Sequence, residues 1–302
     1  MLGERVSVVI PLYNHARYIS NAVQSVLAQG PLLRELIVID DGSRDESAEV
    51  MAKLASQDSR IRFLRQENRG AHATINRGLE LSSGEFVAIL NSDDAYIEDR
   101  FATLVRALDL DPGSDIAASS IAFMDGDGLD IESSWFDQAL ARFKKLRNLP
   151  AALIDANFLM TTSNFLMRRR VLDEVGYFLP LRYAHDLEYA LRLSNKRMRL
   201  CFIDRPLLKY RFHSSNTISE NNDNVRFEWA ICAALYIRDK YFELIPSNDP
   251  NIFLIQEILK KHNLLNAVML CLDWMSKEKI RGFDERLIAD GPFRDKMVGL
   301  VK

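Results

Sequence analysis

Phe86-Val87-Ala88-Ile89-Leu90-Asn91-Ser92-Asp93-Asp94 is an apolar run that opens after Gly84 and ends in two adjacent carboxylates. A run this short and uniformly apolar predicts a strand covered on both faces, as in a parallel sheet. The acids then stand at the strand's C-terminal end, where open α/β sheets bind ligands. Two neighbouring carboxylates repel unless a cation or hydrogen-bond donors offset their charge, which points to a hard metal ion and a polyphosphate. The competing reading is a helix start, with Asp93 or Asp94 as N-cap of a helix over 96–108.

Upstream, Val6-Ser7-Val8-Val9-Ile10 is a β-branched run stopped by Pro11, and Leu36-Ile37-Val38-Ile39 is a second buried run. Helices are predicted over 15–27, 45–55 and 71–81, with a short strand, Ile61-Arg62-Phe63-Leu64, between the last two. This alternation calls for right-handed βαβ units in a mostly parallel, doubly wound α/β sheet with helices on both faces. Three strand ends on one edge are polar: Pro11-Leu12-Tyr13-Asn14, Asp40-Asp41-Gly42-Ser43 and Asn91-Ser92-Asp93-Asp94. Together they make a binding site more compelling than any one of them. Neither GxGxxG after the first strand nor GxxxxGK[ST] is present, which disfavours a dinucleotide dehydrogenase and a P-loop NTPase.

The 302 residues suffice for one large α/β domain or a domain with a helical addition. With 39 basic and 42 acidic residues the net charge is only -3, so bulk electrostatics announce no nucleic-acid partner. Cys201, Cys232 and Cys271 form no CxxC pair, against a disulfide framework or a zinc site and in keeping with a reducing cytoplasm. The first residues lack the pattern of a signal peptide. No apolar stretch approaches the roughly 20 residues needed to span a bilayer, so any membrane association is expected to be peripheral, at the inner face.

The combination Val8-Val9-Ile10-Pro11-Leu12-Tyr13-Asn14, Val38-Ile39-Asp40-Asp41-Gly42-Ser43, Glu67-Asn68-Arg69-Gly70 and Asn91-Ser92-Asp93-Asp94 resembles the family 2 glycosyltransferases of GT-A fold. Order, spacing and strand placement agree across about the first 215 residues. The resemblance implies transfer of a sugar from a nucleoside diphosphate donor to an acceptor hydroxyl, with inversion at the anomeric carbon. It implies that Pro11 and Tyr13 line a nucleobase pocket, that Asp40 or Asp41 meets the base or ribose, and that Asn68, Asn91 and Ser92 belong to the nucleotide site. Asp93 matches the last acid of the family's DxD motif, the ligand to Mg²⁺ or Mn²⁺ on the diphosphate. Asn91 replaces the first acid; it can accept or donate but adds no charge, and Asp94 is expected to compensate as a second metal ligand.

Asp115 to Met124 reads as a further strand, followed by a Gly/Asp turn over 125–130, and the basic run Arg142, Lys144, Lys145 and Arg147 reads as a solvated helix face. Near Ser163 the sequence resembles the strand before the family's acceptor half, where small polar residues face the sugar. His185-Asp186-Leu187-Glu188 opens a helix. A first-turn carboxylate is favoured by the helix dipole in any protein, so capping is the reading from the residues alone. The resemblance instead matches Asp186 to the general base that deprotonates the acceptor, with His185 in place of the family's usual Glu. The same resemblance makes Arg211 and His213, in Tyr210-Arg211-Phe212-His213, contacts to phosphate or metal.

From residue 221 onward the pattern is helical over 225–241 and 252–275, with Pro246, Asn248, Asp249 and Pro250 between. The expected division is a catalytic domain over 1–220, with a nucleotide half to about 110 and an acceptor half beyond it, and a C-terminal helical appendage over 221–302. The leading expectation is an inverting, metal-dependent glycosyltransferase that uses a UDP-sugar, with a glycan or lipid-linked acceptor in bacterial surface polysaccharide synthesis. Two alternatives stand beside it: a non-catalytic nucleotide-sugar-binding module, and a nucleotidyltransferase, although Pro11 to Asn14 is not the Gly-rich basic loop the latter carries.

Overall fold

A computed structural model describes residues 3–214, 216–217, 220–241, 249–289 and 291–302. The β-branched run forms β1 (Val6–Leu12), and the next apolar runs form β2 (Leu33–Asp40), β3 (Ile61–Arg65) and β4 (Phe86–Ile89). Every residue of β4, and Leu90 after it, is fully buried, as an unbroken apolar run in a covered strand requires. β1 pairs in parallel with β2 on one side and β4 on the other, and β3 pairs in parallel with β2. The chain therefore builds outward from β1 through β2 to β3, then returns across β1 to add β4. That reversal makes the β1/β4 boundary a topological switch point, where the loops diverge and leave a crevice at the strand ends.

Beyond β4 the sheet is mixed. β5 (Ala95–Tyr96), β6 (Ile116–Met124), β7 (Asp130–Ile131), β8 (Leu166–Arg168) and β9 (Leu200–Arg211) complete nine strands among the described residues, in the order β3-β2-β1-β4-β8-β6-β9-β5, with β7 on β6. β8 runs antiparallel to both β4 and β6, whereas β6 and β9 are parallel. The residues after Asp94 enter β5, which pairs with β9, and the following helix starts only at Arg100 (Arg100–Leu110). The N-cap reading of Asp93 and Asp94 therefore does not hold; Asp99, in the left-handed region at φ 62°, occupies that position.

Helix Ala71–Leu81 lies across β1 and β2. At Gly78 a Cβ would run into the Val9 side chain, so this close helix–strand approach depends on a residue without one.

The described chain forms two compact units. The first comprises Met1–Glu132, Thr161–Phe178 and Met198–His213 and holds the whole sheet. The second comprises Ser133–Met160, Leu179–Arg197 and Ser214–Lys302 and is helical. Its centre is helix Asn222–Lys240, where Phe227, Ala230, Ile231, Cys232, Ala233 and Ala234 are at most 2% exposed. This helix packs on His185–Asn195, Leu265–Lys277 and Gly291–Val301, so the C-terminal helices share a core with the helix that begins at His185. The helical pattern over 252–275 is two helices, Pro250–Lys261 and Leu265–Lys277, separated at Asn263, which takes φ 53°. Asn tolerates that left-handed turn better than most residues. Pro246 and Asn248 lie outside the described residues.

Gly78→Ala tests the close approach. Helix propensity alone favours Ala by about 1 kcal/mol. The clash with Val9 is expected to outweigh it, for a net loss of about 1–3 kcal/mol in urea unfolding, largely recovered in the Gly78→Ala, Val9→Ala double variant.

Candidate active site

The loops at the β1/β4 switch point are fastened by side chains from the sequence tips. After β1, Asn14 turns into the left-handed region at φ 53°; its N–H donates to Ser43 Oγ at 2.9 Å, and its Oδ1 accepts from Arg44 N at 2.8 Å. The next two amides, of His15 and Ala16, donate to Ser47 Oγ and Asp45 Oδ2 at 3.0 Å each. This lacing of the β1 loop to the β2 loop places His15 toward the tip of β4. Its Nδ1 lies 2.7 Å from Ser92 Oγ.

Asn91 departs from the acidic motif for a visible reason. Its Nδ2 donates to Thr161 Oγ1 at 3.0 Å while its Oδ1 accepts from Thr162 Oγ1 at 3.2 Å, and its backbone N–H donates to Ser163 Oγ at 2.9 Å. Only an amide can donate and accept in this way; an ionised carboxylate accepts alone.

Asp93 and Asp94 then part. Asp94 is 1% exposed; its Oδ2 accepts from Ser163 Oγ at 2.7 Å and its Oδ1 from the Arg211 amide at 3.0 Å. Burial and the neighbouring Asp93 charge push its carboxyl well above the ordinary range. Asp93 Oδ2 lies 3.0 Å from His213 Nε2, with side chains 12% and 6% exposed respectively. Burial pushes Asp93 up as well, but the His213 hydrogen bond and the attraction of both imidazoles outweigh it and hold the carboxyl below its usual value. The pair thus settles with its negative charge on Asp93.

Around that charge stand His15 and His213, their rings edge-to-face at 5.7 Å, with Tyr18 stacked on His213 at 4.9 Å. Burial lowers the pKa of His15, which favours a neutral ring with a lone pair available to a cation. Among the described residues, His15, Asp93 and His213 form a group whose potential ligand atoms all lie within 4.8 Å of one another. Two imidazoles and one carboxylate fit a divalent cation. Asp94 is not in the group, since its oxygens face Ser163 and Arg211.

Arg211 is buried behind this tip. Its Nε donates to Asp93 O at 2.8 Å, Nη1 to Asp125 O at 3.1 Å and Nη2 to Asn21 Oδ1 at 3.0 Å, and its guanidinium lies 4.8 Å from the Tyr18 ring centre. It is a fixed positive charge beside the two acids. Ser163 is likewise fully buried and ties Asn91 to Asp94 from below.

The second acidic pair, at the end of β2, is engaged differently. Asp40 accepts from Ser43 N and Arg65 Nε at 3.1 Å each; Asp41 accepts from Gln66 Nε2 at 2.7 Å, Arg69 N at 2.9 Å and Gly70 N at 2.8 Å. Both carboxylates are buried and hold the loop that carries Asn68, which is itself exposed. Tyr13 is 42% exposed, and Pro11 is half-buried within β1.

The helical unit carries His185 and Asp186. Asp186 is 8% exposed, its Oδ2 accepts from Asn157 Nδ2 at 2.9 Å, and burial pushes its carboxyl up to about 6. Burial lowers the His185 imidazole to about 4. Sequence reasoning missed His15, Tyr18, Asn157 and Thr161. For His15 the signal was its place directly after the first polar tip; for Asn157 there was none, since it lies in an unpatterned loop.

An acidic tip at the switch point of an α/β sheet marks a ligand-binding crevice without fixing its chemistry, and similarity to known proteins supplies the class. The sequence matches the family model of glycosyl transferase family 2 over residues 7–176, more than half of the chain, and the chain belongs to that family. It is 39% identical over 106 residues to glycosyltransferase GlyG of Streptococcus pneumoniae serotype 4, covering 35% of each chain. It is 28% identical over 220 residues to the putative glycosyltransferase EpsH of Bacillus subtilis, covering 70% of this chain and 62% of that one. The matches thus span 35% and 62% of the length of these two relatives. The fold is shared with a crystal structure of S. aureus TarS 1–349 in complex with UDP-GlcNAc, at a TM-score of 0.59 and 18% identity over 98% of this chain and 90% of that one. No helix among the described residues is long and apolar enough to cross a membrane.

The raised carboxyl of Asp186 carries a stability consequence. Between about pH 4 and pH 6 the native state binds more protons here than the unfolded chain, so stability falls as pH rises through that window and the cost is complete above it. Asp186→Asn is therefore expected to stabilise the protein by about 1–3 kcal/mol at pH 7.5 and to give no gain below pH 4, as read from denaturant midpoints at both pH values.

Proposed function

We propose that the chain is an inverting, metal-dependent glycosyltransferase that moves a sugar from a nucleoside diphosphate sugar, a UDP-sugar in the first instance, to the hydroxyl of a glycan or lipid-linked acceptor in bacterial surface polysaccharide synthesis. The observation that carries this reading is the His15, Asp93 and His213 group at the β1/β4 switch point. A neutral imidazole, an ionised carboxylate and a second imidazole form a donor set that Mn²⁺ accepts more readily than Mg²⁺, which favours oxygen ligands. A cation held by His15, Asp93 and His213 would supply positive charge to offset that of a diphosphate. The UDP-GlcNAc complex of the TarS structure, which shares the fold, supports a UDP-sugar as the first donor to try.

In the proposed reaction the acceptor oxygen forms a bond to the anomeric carbon as the bond from that carbon to the diphosphate oxygen breaks, and the bonding pair leaves with the diphosphate. The acceptor proton passes to Asp186. With its pKa near 6, Asp186 is ionised at neutral pH yet more basic than an exposed carboxylate, which suits a general base. Arg211, with its N–H groups committed to Asp93 O, Asp125 O and Asn21, contributes charge from a fixed position. Asp94, Ser163 and Asn91 act in this scheme by holding the tip in shape, and Tyr13 and Asn68 remain the exposed loop residues proposed for the nucleoside.

Calorimetric titration with UDP tests the donor half. Binding is expected with Mn²⁺, to be lost in EDTA and to weaken at least about tenfold in Asp93→Ala, since loss of even an outer-shell partner of a metal ligand costs about 10–100-fold; binding indifferent to both changes would overturn it. Asp186→Asn is expected to leave that titration unchanged and to lower turnover of the UDP-sugar by about 10²–10⁴-fold. In the parent protein, turnover is expected to fall as pH drops through about 6, where Asp186 takes up a proton.

A further inference from the structure

Helix His185–Asn195 begins with an unusual deficit. Its N-cap, Ala184, has no side chain able to cap the exposed amides, and the segment leading into it, Arg182-Tyr183-Ala184, presents three consecutive N–H groups with no strand or helix to pair them. All three converge on one carboxylate from another helix. Glu228 Oε1 accepts from Arg182 N at 2.9 Å, and Glu228 Oε2 accepts from Tyr183 N at 2.7 Å and from Ala184 N at 2.9 Å. The carbonyl of Ala184 is met in turn by Cys232 Sγ at 3.6 Å, one turn further along the same helix.

Glu228 is 7% exposed and sits in helix Asn222–Lys240, whose neighbouring positions, Phe227, Ala230 and Ile231, are apolar and buried. A carboxylate in such a place is costly unless its oxygens are used. Three charge-assisted bonds to backbone amides reduce that cost while the 182–184 segment keeps this shape, and burial still holds the carboxyl above its usual value. An apolar residue would fill the same volume in the helix core but leave three amides unsatisfied, so packing alone does not call for an acid here. The segment ends two residues before Asp186, and its last amide is fixed by the same carboxylate.

We propose that Glu228 is a positioning residue for Asp186: by gripping the Arg182, Tyr183 and Ala184 amides it sets where the helix starts and so where the Asp186 carboxylate stands. This rests on the reading of Asp186 as the base. It also makes helix Asn222–Lys240, beyond the family match at 7–176, part of the apparatus that places that base.

The test needs no acceptor. In protein labelled with ¹³C at the Asp carboxyls, with the Asp186 signal assigned by its loss in Asp186→Asn, the Asp186 midpoint is expected near 6 in the parent. In Glu228→Gln, whose amide group turns an N–H toward one of the three donors, the midpoint is expected to fall toward the ordinary value of about 3.9. Hydrogen exchange at Arg182, Tyr183 and Ala184 is expected to quicken at least about tenfold. Glu228→Asp keeps the charge but is one methylene short and is expected to give intermediate values; it carries the test if Glu228→Gln does not fold. With UDP-GlcNAc as the donor probe, kcat is expected to fall in these variants with the donor KM unchanged. An Asp186 midpoint and amide exchange that are both unmoved in the folded variants would overturn the inference. Retention of full turnover by Asp186→Asn, with the midpoint still moving in Glu228→Gln, would instead overturn the base assignment and leave the control of Asp186 placement by Glu228 standing.

Discussion

Two adjacent carboxylates at the end of a buried strand cannot both carry full charge at low cost, and the architecture around β4 resolves that conflict. Two unit charges about 4 Å apart repel by about 4 kcal/mol at an effective dielectric of 20. Asp94 turns inward to Ser163 and the Arg211 amide, where burial and its neighbour disfavour ionisation. Asp93 turns to His213 and keeps the charge. The β1 loop, laced to the β2 loop through Asn14, His15 and Ser47, brings a second imidazole to the same charge. Two imidazoles around one ionised carboxylate are the donor set on which the proposed cation site rests.

The β4 tip was legible because hydrophobic burial and polar termination leave plain marks in sequence, and β1, β2 and helix Ala71–Leu81 were legible for the same reason. The mixed half of the sheet was harder to read. β5 has only two residues and β8 three, too short for any period, and both exist because neighbouring strands offer them partners. The break at Asn263 was hidden by an apolar pattern that continues across it.

The two Asp-Asp pairs show where residue identity stops being informative. Asp40-Asp41 and Asp93-Asp94 both follow a buried strand, and both read as ligand-facing acids. In the fold, the oxygens of Asp40 and Asp41 are taken by amides and side chains of the loops around Gly42 and Gly70, while Asp93 faces two imidazoles. The difference lies in what long-range packing delivers to each tip. His15 and His213 are 198 positions apart in sequence and meet only because β1 and β9 end near the same edge of one sheet. Asp186 is similar: its first-turn position was readable, whereas the burial that raises its pKa to about 6 arises only in the folded chain.

The most direct test of the central arrangement is electron spin-echo modulation of Mn²⁺ bound to the protein. Coupling to two imidazole nitrogens is predicted, with one lost in His15→Ala, the other lost in His213→Ala, and tight binding lost in Asp93→Ala. Mn²⁺ that binds without nitrogen coupling, or whose spectrum is unchanged by the His15 and His213 substitutions, would contradict the account.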